Sequence, residues 1–349
     1  MKTLLIFFLQ LTLIFTFATT TYAVSDPRLV PNNKVGINNL SANSNLEDIS
    51  ALVNTNGDWG WIVIVIKKDQ RDVAMWQTTF NQMNKNHLIP IVRLATATDP
   101  YGNWQRPTQE DAEDWAQFLN ELKWPTKNRY VQIYNEVNRA SEWGGTVDAV
   151  DYAKELNKTI DALKAKSSDF FVLNAPLDLA LATTNSSLDA GVFFTTMQVA
   201  VPNIFSRLDG WASHSYPNPD FSASPTKSGR TGIDGYKWEL LQIKKDLPVF
   251  ITETGWKRGV NDENTIAAFY KTAFENVWND NNVVAVAPFV FDYAEPLFYG
   301  FSFKKTSGFF KYYDEVMNLN KTRGEPHREN VATIIAADGP KILITNLNG

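Results

Sequence analysis

Eight short apolar runs recur along this chain, and helix-period stretches lie between them. The runs are Lys34–Asn38, Trp61–Ile66, Ile89–Leu94, Tyr130–Tyr134, Phe170–Asn174, Gly210–His214, Val249–Thr252 and Val284–Phe291. They are continuous in apolar residues rather than alternating, the pattern of strands covered on both faces. Between them, Asp111-Ala112-Trp115-Phe118-Leu119-Leu122 and Val150-Ala153-Leu156-Ile160-Leu163 recur at spacings of three and four, which predicts helices. Ser44-x-x-Glu47 and Thr108-x-x-Asp111 predict capping boxes for the first and third helices.

Strands that alternate with helices predict an α/β fold with parallel strands, and eight such units predict closure into a (β/α)8 barrel. The competing open, doubly wound sheet usually carries a glycine-rich loop after its first strand. Here that position reads Gly36-Ile37-Asn38-Asn39, which has no phosphate-cradling pattern. The barrel is expected over residues 24–325. A short C-terminal extension, 326–349, holds two apolar runs, Val331–Ile335 and Lys341–Ile344, that would suit a hairpin.

Composition narrows the function. The chain has 349 residues, 44% hydrophobic and 13% aromatic, enough for one large core. Its 33 basic residues against 38 acidic ones give a net charge of -5, which excludes the basic stripe of a nucleic-acid binder. Residues 1–23 read as a secretory signal: Lys2, an apolar stretch from Leu4 to Phe17, then Thr21-Tyr22-Ala23 at the cleavage point. The stretch is short for a span, which needs roughly 20 residues, although an uncleaved anchor is the alternative. No later segment is apolar enough to cross a bilayer. A secreted, monomeric protein is expected. It has no cysteine, and a core this large does not need disulfides. Sequons at Asn157, Asn185 and Asn320 matter only if the source glycosylates its secreted proteins. Three histidines and no cysteine give no metal-ligand spacing, so neither metal nor cofactor is expected.

In a parallel barrel the active site lies at the C-terminal ends of the strands. The fourth run is followed by Asn135 and Glu136, the sixth by Tyr216 just after His214, the seventh by Glu253 and Trp256, and the eighth ends at Phe291 and Asp292. A carboxylate where a buried strand ends is costly unless a polar cleft waits there. Two of them, with aromatics nearby and no metal cluster, point to cleavage of a glycosidic bond by paired carboxyls. His214 reads either as a satisfied core histidine or as a site residue.

At Asn135-Glu136, His214-Ser215-Tyr216 and Glu253-Thr254-Gly255-Trp256, the chain resembles the clan-A glycoside hydrolases. The last motif is also similar to plant-type endo-β-1,3-glucanases, and Tyr134-Asn135-Glu136-Val137-Asn138 to xylosidase-like and cellulase-like branches. No family within the clan is singled out. The resemblance implies that Glu136 is the general acid/base and Glu253 the nucleophile. Retention of configuration needs the two carboxyls roughly 5–5.5 Å apart, and the charge of Glu253 is expected to raise the pKa of Glu136. Tyr216 would donate to Glu253, and Asn135 to the sugar 2-hydroxyl.

Many clan members carry an arginine at the end of the second strand. Here that position holds Lys67-Lys68, and Arg93 of the third strand either supplies the missing charge or forms an ordinary ion pair. Among the tryptophans, Trp76, Trp115 and Trp278 read as core, and Trp61 as lying at the opposite end of the barrel. Trp59 and Trp104 fall near strand ends. Trp143 and Trp256, close in sequence to the two glutamates, are the expected sugar-stacking surfaces, with Phe291 a further contact. The expected activity is cofactor-free hydrolysis of a β-linked polysaccharide or oligosaccharide. A transglycosylase would use the same residues. The alternative is a non-catalytic barrel that binds glycans or a protein.

Overall fold

The computed structural model describes residues 24–328 apart from Ala42. The expected signal and the two runs of the expected hairpin lie outside the described residues. Strands and helices follow in order: β1 Gly36–Asn39, α1 Leu46–Asn54, β2 Gly60–Lys67, α2 Val73–Lys85, β3 Leu88–Ala95, α3 Asp111–Glu121, β4 Arg129–Gln132 and α4 Ala149–Lys166. The second half continues with β5 Phe170–Leu173, α5 Ala190–Ala200, β6 Trp211–Ser213, α6 Gly235–Ile243, β7 Val249–Thr254, α7 Glu263–Thr272, β8 Val283–Pro288, α8 Pro296–Tyr299 and α9 Lys311–Met317.

The parallel strands pair as two sheets, β1 to β5 and β6 to β8. Single bridges join the sheets into a ring, Leu173 to Gly210 at one seam and Val35 to Val286 at the other. At the first seam a side chain stands in for the missing ladder. Asn174 donates Nδ2–H to the Ala212 carbonyl at 3.0 Å and accepts the Ala212 N–H at 2.9 Å. At the second, Val286 N–H donates to the Lys34 carbonyl at 2.8 Å. Asn38 Nδ2 adds bonds to the carbonyls of Thr252 at 2.7 Å and Ala287 at 2.9 Å. The result is a (β/α)8 barrel.

Alternate strand residues explain the continuous apolar runs. Trp61, Val63, Ile91, Tyr130, Phe171 and Phe250 pack together inside the ring, while Ile62, Ile64, Val92 and Val131 pack against the helices. Each large side chain so buried contributes about 1.5–3 kcal/mol. Asp72, Asp148 and Asp262 cap α2, α4 and α7 by accepting backbone N–H bonds. The two expected capping boxes form differently. α1 is preceded by Asn45 at φ +60° with no side-chain cap, and at α3 Asp111 accepts the Thr108 N–H at 2.6 Å without the reciprocal bond.

Three C-terminal strand ends differ from the sequence expectation by two residues or more, and each difference moves a candidate residue. β4 stops at Gln132 because Tyr134 and Glu136 adopt φ of +68° and +35°. β7 runs on through Glu253 to Thr254. β8 stops at Pro288, which has no amide donor for a ladder, so Phe291 lies beyond it. The N-terminal end of the barrel is covered by residues 24–33 and 323–328, through Glu325 N–H to the Pro31 carbonyl at 2.8 Å and Lys127 N–H to the His327 carbonyl at 2.7 Å.

Candidate active site

Glu253 projects from the end of β7, and Glu136 from the turn after β4. The Glu136 backbone is pinned by its N–H to the Pro176 carbonyl at 2.9 Å and its own carbonyl to Arg139 N–H at 2.8 Å. Those bonds hold a conformation that costs an ordinary residue about 1–3 kcal/mol. Glu136, His214 and Glu253 each place one side-chain N or O atom within 4.8 Å of the others. His214 is wholly buried, with Nδ1 2.9 Å from Glu136 Oε1 and 3.8 Å from Glu253 Oε2. It lies between the two glutamates. Tyr216 donates its hydroxyl to Glu253 Oε2 at 3.0 Å.

Arg93 does both things that its sequence position allowed. Its guanidinium lies 3.5 Å from Glu253 Oε1 and 3.7 Å from Glu142 Oε2. The lysines after β2 are engaged elsewhere: Lys68 pairs with Asp111 at 2.9 Å, and Lys67 Nζ lies 5.6 Å from the ring centroid of Trp104. On the other side, Arg139 Nε lies 3.0 Å from Glu136 Oε2 and the same guanidinium binds Asp178.

These contacts reverse one expectation. Burial pushes the Glu136 carboxyl up, but the His214 hydrogen bond and the charges of His214, Arg139 and Arg93 outweigh it. Its pKa ends below the usual carboxylate range, not above it. His214 moves the opposite way. Burial lowers it, while the charge of Glu253 and the bond to Glu136 raise it above 6.5. Each partner in the Glu136–His214 contact thus favours the charged form of the other. Burial, aided by Glu253, keeps the Tyr216 phenol protonated and donating. The cluster would suit a cation in size, but both carboxylates already face guanidinium, imidazole or phenol donors, the setting of paired acids rather than a metal cage.

Three expected contacts are corrected. Trp143 is 1% exposed, with its ring packed 5.5 Å from those of Tyr134 and Tyr152 and its Nε1 donating to Asp151 at 3.0 Å. Trp256 is also 1% exposed, 5.0 Å from Tyr270, with Nε1 donating to the Ala223 carbonyl at 2.7 Å. Gly255, at φ +136°, turns the chain off β7 so that Trp256 goes under α7; a side chain there would meet the Tyr270 hydroxyl. Phe291 is buried against Phe309 and Tyr313, outside the ring of strands. Asn135 is buried and leaves its Oδ1 without a protein partner.

Sequence reasoning missed Glu142, Arg139 and Asp178. It also missed the aromatic group of Phe221, Phe289, Phe298 and Phe301 packed around Tyr216. Arg139, three residues after Glu136, was within reach of a spacing argument. Glu142 gave no signal, because a 3₁₀ turn at Ala140–Glu142 returns it to the site. Burial first, then the charges of Glu136 and Glu253, push its carboxyl up to about 7 against the pull of Arg93.

No protein-family model and no curated protein matches this chain. Solved structures do. It is similar to a family 39 glycoside hydrolase from Bacteroides cellulosilyticus WH2, at 16% identity and TM-score 0.56, over 84% of this chain and 64% of that one. A family 128, subgroup II, endo-β-1,3-glucanase from Sorangium cellulosum aligns at 12% identity and TM-score 0.58, over 82% of this chain and 98% of that one. A β-mannanase from Streptomyces thermolilacinus aligns at 15% identity and TM-score 0.51, over 82% and 88%. The chain spans just under two thirds of the family 39 structure. At such identities the likeness is one of fold, an α/β barrel.

Proposed function

We propose that this protein is a secreted glycoside hydrolase that cleaves β-linked polysaccharides or oligosaccharides with retention of configuration. The observation that carries the reading is the approach of Glu136 and Glu253 within 4.8 Å at the open end of the barrel, close to the roughly 5–5.5 Å of retaining pairs. Glu253 attacks the anomeric carbon as the bond to the leaving oxygen breaks. Glu136 delivers a proton to that oxygen. The 2.9 Å contact between His214 Nδ1 and Glu136 Oε1 lets the imidazole supply that proton to Glu136. Water then attacks the glycosyl-enzyme carbon, gives its proton to Glu136 and releases Glu253. Tyr216 and Arg93 steady the charge on Glu253 as it leaves. Half-buried Trp104, on the loop that carries exposed Tyr101, replaces Trp143 and Trp256 as an aromatic surface for sugar.

The similar structures include an endo-β-1,3-glucanase and a β-mannanase, so β-glucans and β-mannans head the substrate panel. Glu253→Ala should abolish the covalent intermediate with every substrate. Glu136→Ala should still turn over substrates with highly activated leaving groups and accumulate the intermediate, since the base that activates water is missing. Azide, which needs no deprotonation, should restore its turnover and give a β-glycosyl azide. An α-azide from Glu136→Ala would show that the roles are reversed, and full activity in either variant would show that the chemistry lies elsewhere.

A further inference from the structure

Three carboxyls, not two, meet at this site, and the third is held as firmly as the others. Glu142 ends a 3₁₀ turn tied to the loop after β3 by Trp104 N–H to the Ser141 carbonyl and Gly144 N–H to the Trp104 carbonyl, both 2.7 Å. Its side chain is 19% exposed and that of Arg93 11%. The groups around it are Arg93 from β3, Glu136 and Arg139 from the turn after β4, and Glu253 from β7.

We infer that Glu142 is a positioning residue of this site, sharing the charge of Arg93 with Glu253. The inference rests on the reading of Glu136 and Glu253 as the reacting acids. One guanidinium between two carboxylates cannot neutralise both. While Glu142 is protonated, Arg93 belongs to Glu253. Once Glu142 ionises, at about 7, it draws part of that charge away and leaves Glu253 more nucleophilic. Its own negative charge also makes Glu136 and His214 hold their shared proton more tightly, so the acid survives further into alkaline pH. A like charge at this range shifts a neighbour by about one pH step, which is about tenfold in the protonated fraction.

Glu142→Gln keeps the size and mimics the protonated form at every pH. Its kcat/KM on β-1,3-glucan or β-mannan oligosaccharides should fall about tenfold further below wild type at pH 8.5 than at pH 5.5. A loss of equal size at both pH values marks a purely structural role and overturns the inference, as does no loss at either. A second arm needs no substrate. In carboxyl-¹³C-glutamate NMR of the full chain, the resonance absent from Glu142→Gln should titrate near 7, and Glu136→Gln should lower that midpoint by removing a repelling charge. A midpoint in the ordinary carboxylate range, or one that Glu136→Gln leaves in place, overturns the inference. If the NMR result holds while wild type cleaves no glycan, the glycosidase reading has failed and the charge sharing stands.

Discussion

Glu239→Gln should flatten the loss of stability that this protein suffers as pH rises. Glu239, on α6, is fully buried and accepts the Ser213 hydroxyl hydrogen. Ser213 Oγ meets Ser215 Oγ at 2.8 Å, and Ser215 Oγ accepts the Tyr236 N–H at 2.9 Å. The chain of bonds flanks His214 on both sides. Burial, only partly opposed by the Ser213 hydrogen bond, raises the carboxyl from 4.5 to about 8. Between those limits the folded protein keeps a proton that the unfolded chain has released. The unfolded state therefore binds fewer protons, and stability falls as pH rises through the window. From pH 5 to pH 8 the loss is roughly 4 kcal/mol, at about 1.4 kcal/mol for each pH step. Glutamine cannot ionise, so it carries no such slope. It does bring an amide to a place where Glu239 Oε1 has no partner, a pH-independent cost of about 1–3 kcal/mol. The variant should be the less stable protein at pH 5 and the more stable at pH 8, with the curves crossing between. Urea unfolding at four pH values would show this. Parallel curves would refute the argument, because they would mean that Glu239 is ionised in the folded state.

Trp256→Ala should cost about 3–5 kcal/mol, the range for deleting a large core ring; thermal unfolding checks it, and an unchanged Tm with a raised KM would return that ring to the cleft. The alkaline limb of kcat/KM should lie above 6.5, because His214 is raised above that value and the site loses its acid proton only when the imidazolium does. His214→Asn should move the limb to lower pH, since Arg139 and Arg93 hold Glu136 ionised without a proton store beside it. A limb that stays in place would show that the proton does not come from His214.

The strands were legible because both of their faces are buried, so Trp61–Ile66 and Ile89–Leu94 could read no other way. The two glutamates were legible because charge at the end of such a run has few explanations. What failed was anything set by how a loop turns. The left-handed step at Glu136 depends on the Pro176 carbonyl, 40 residues on, and its pKa on Arg93 and His214 from two other strands. Trp143 and Trp256 were judged by nearness in sequence, yet a ring close in sequence to either glutamate is stabilised as well by a core as by a cleft. Gly255 was in view as part of a motif, but its role as the turn that sends Trp256 inward emerges only once Tyr270 is seen to occupy the space a side chain would need.

The two seams give the barrel a division of labour. Glu136 and Arg93 belong to the five-stranded sheet, and His214, Tyr216 and Glu253 to the three-stranded one. The gap between Glu136 and Glu253 is therefore an inter-sheet dimension, gauged by Asn174 and Asn38 rather than by an unbroken ladder. A small rocking of one sheet on the other would open or narrow that gap while every strand kept its neighbours. Substitutions at these two asparagines should therefore change the separation of Glu136 and Glu253 without touching either carboxyl.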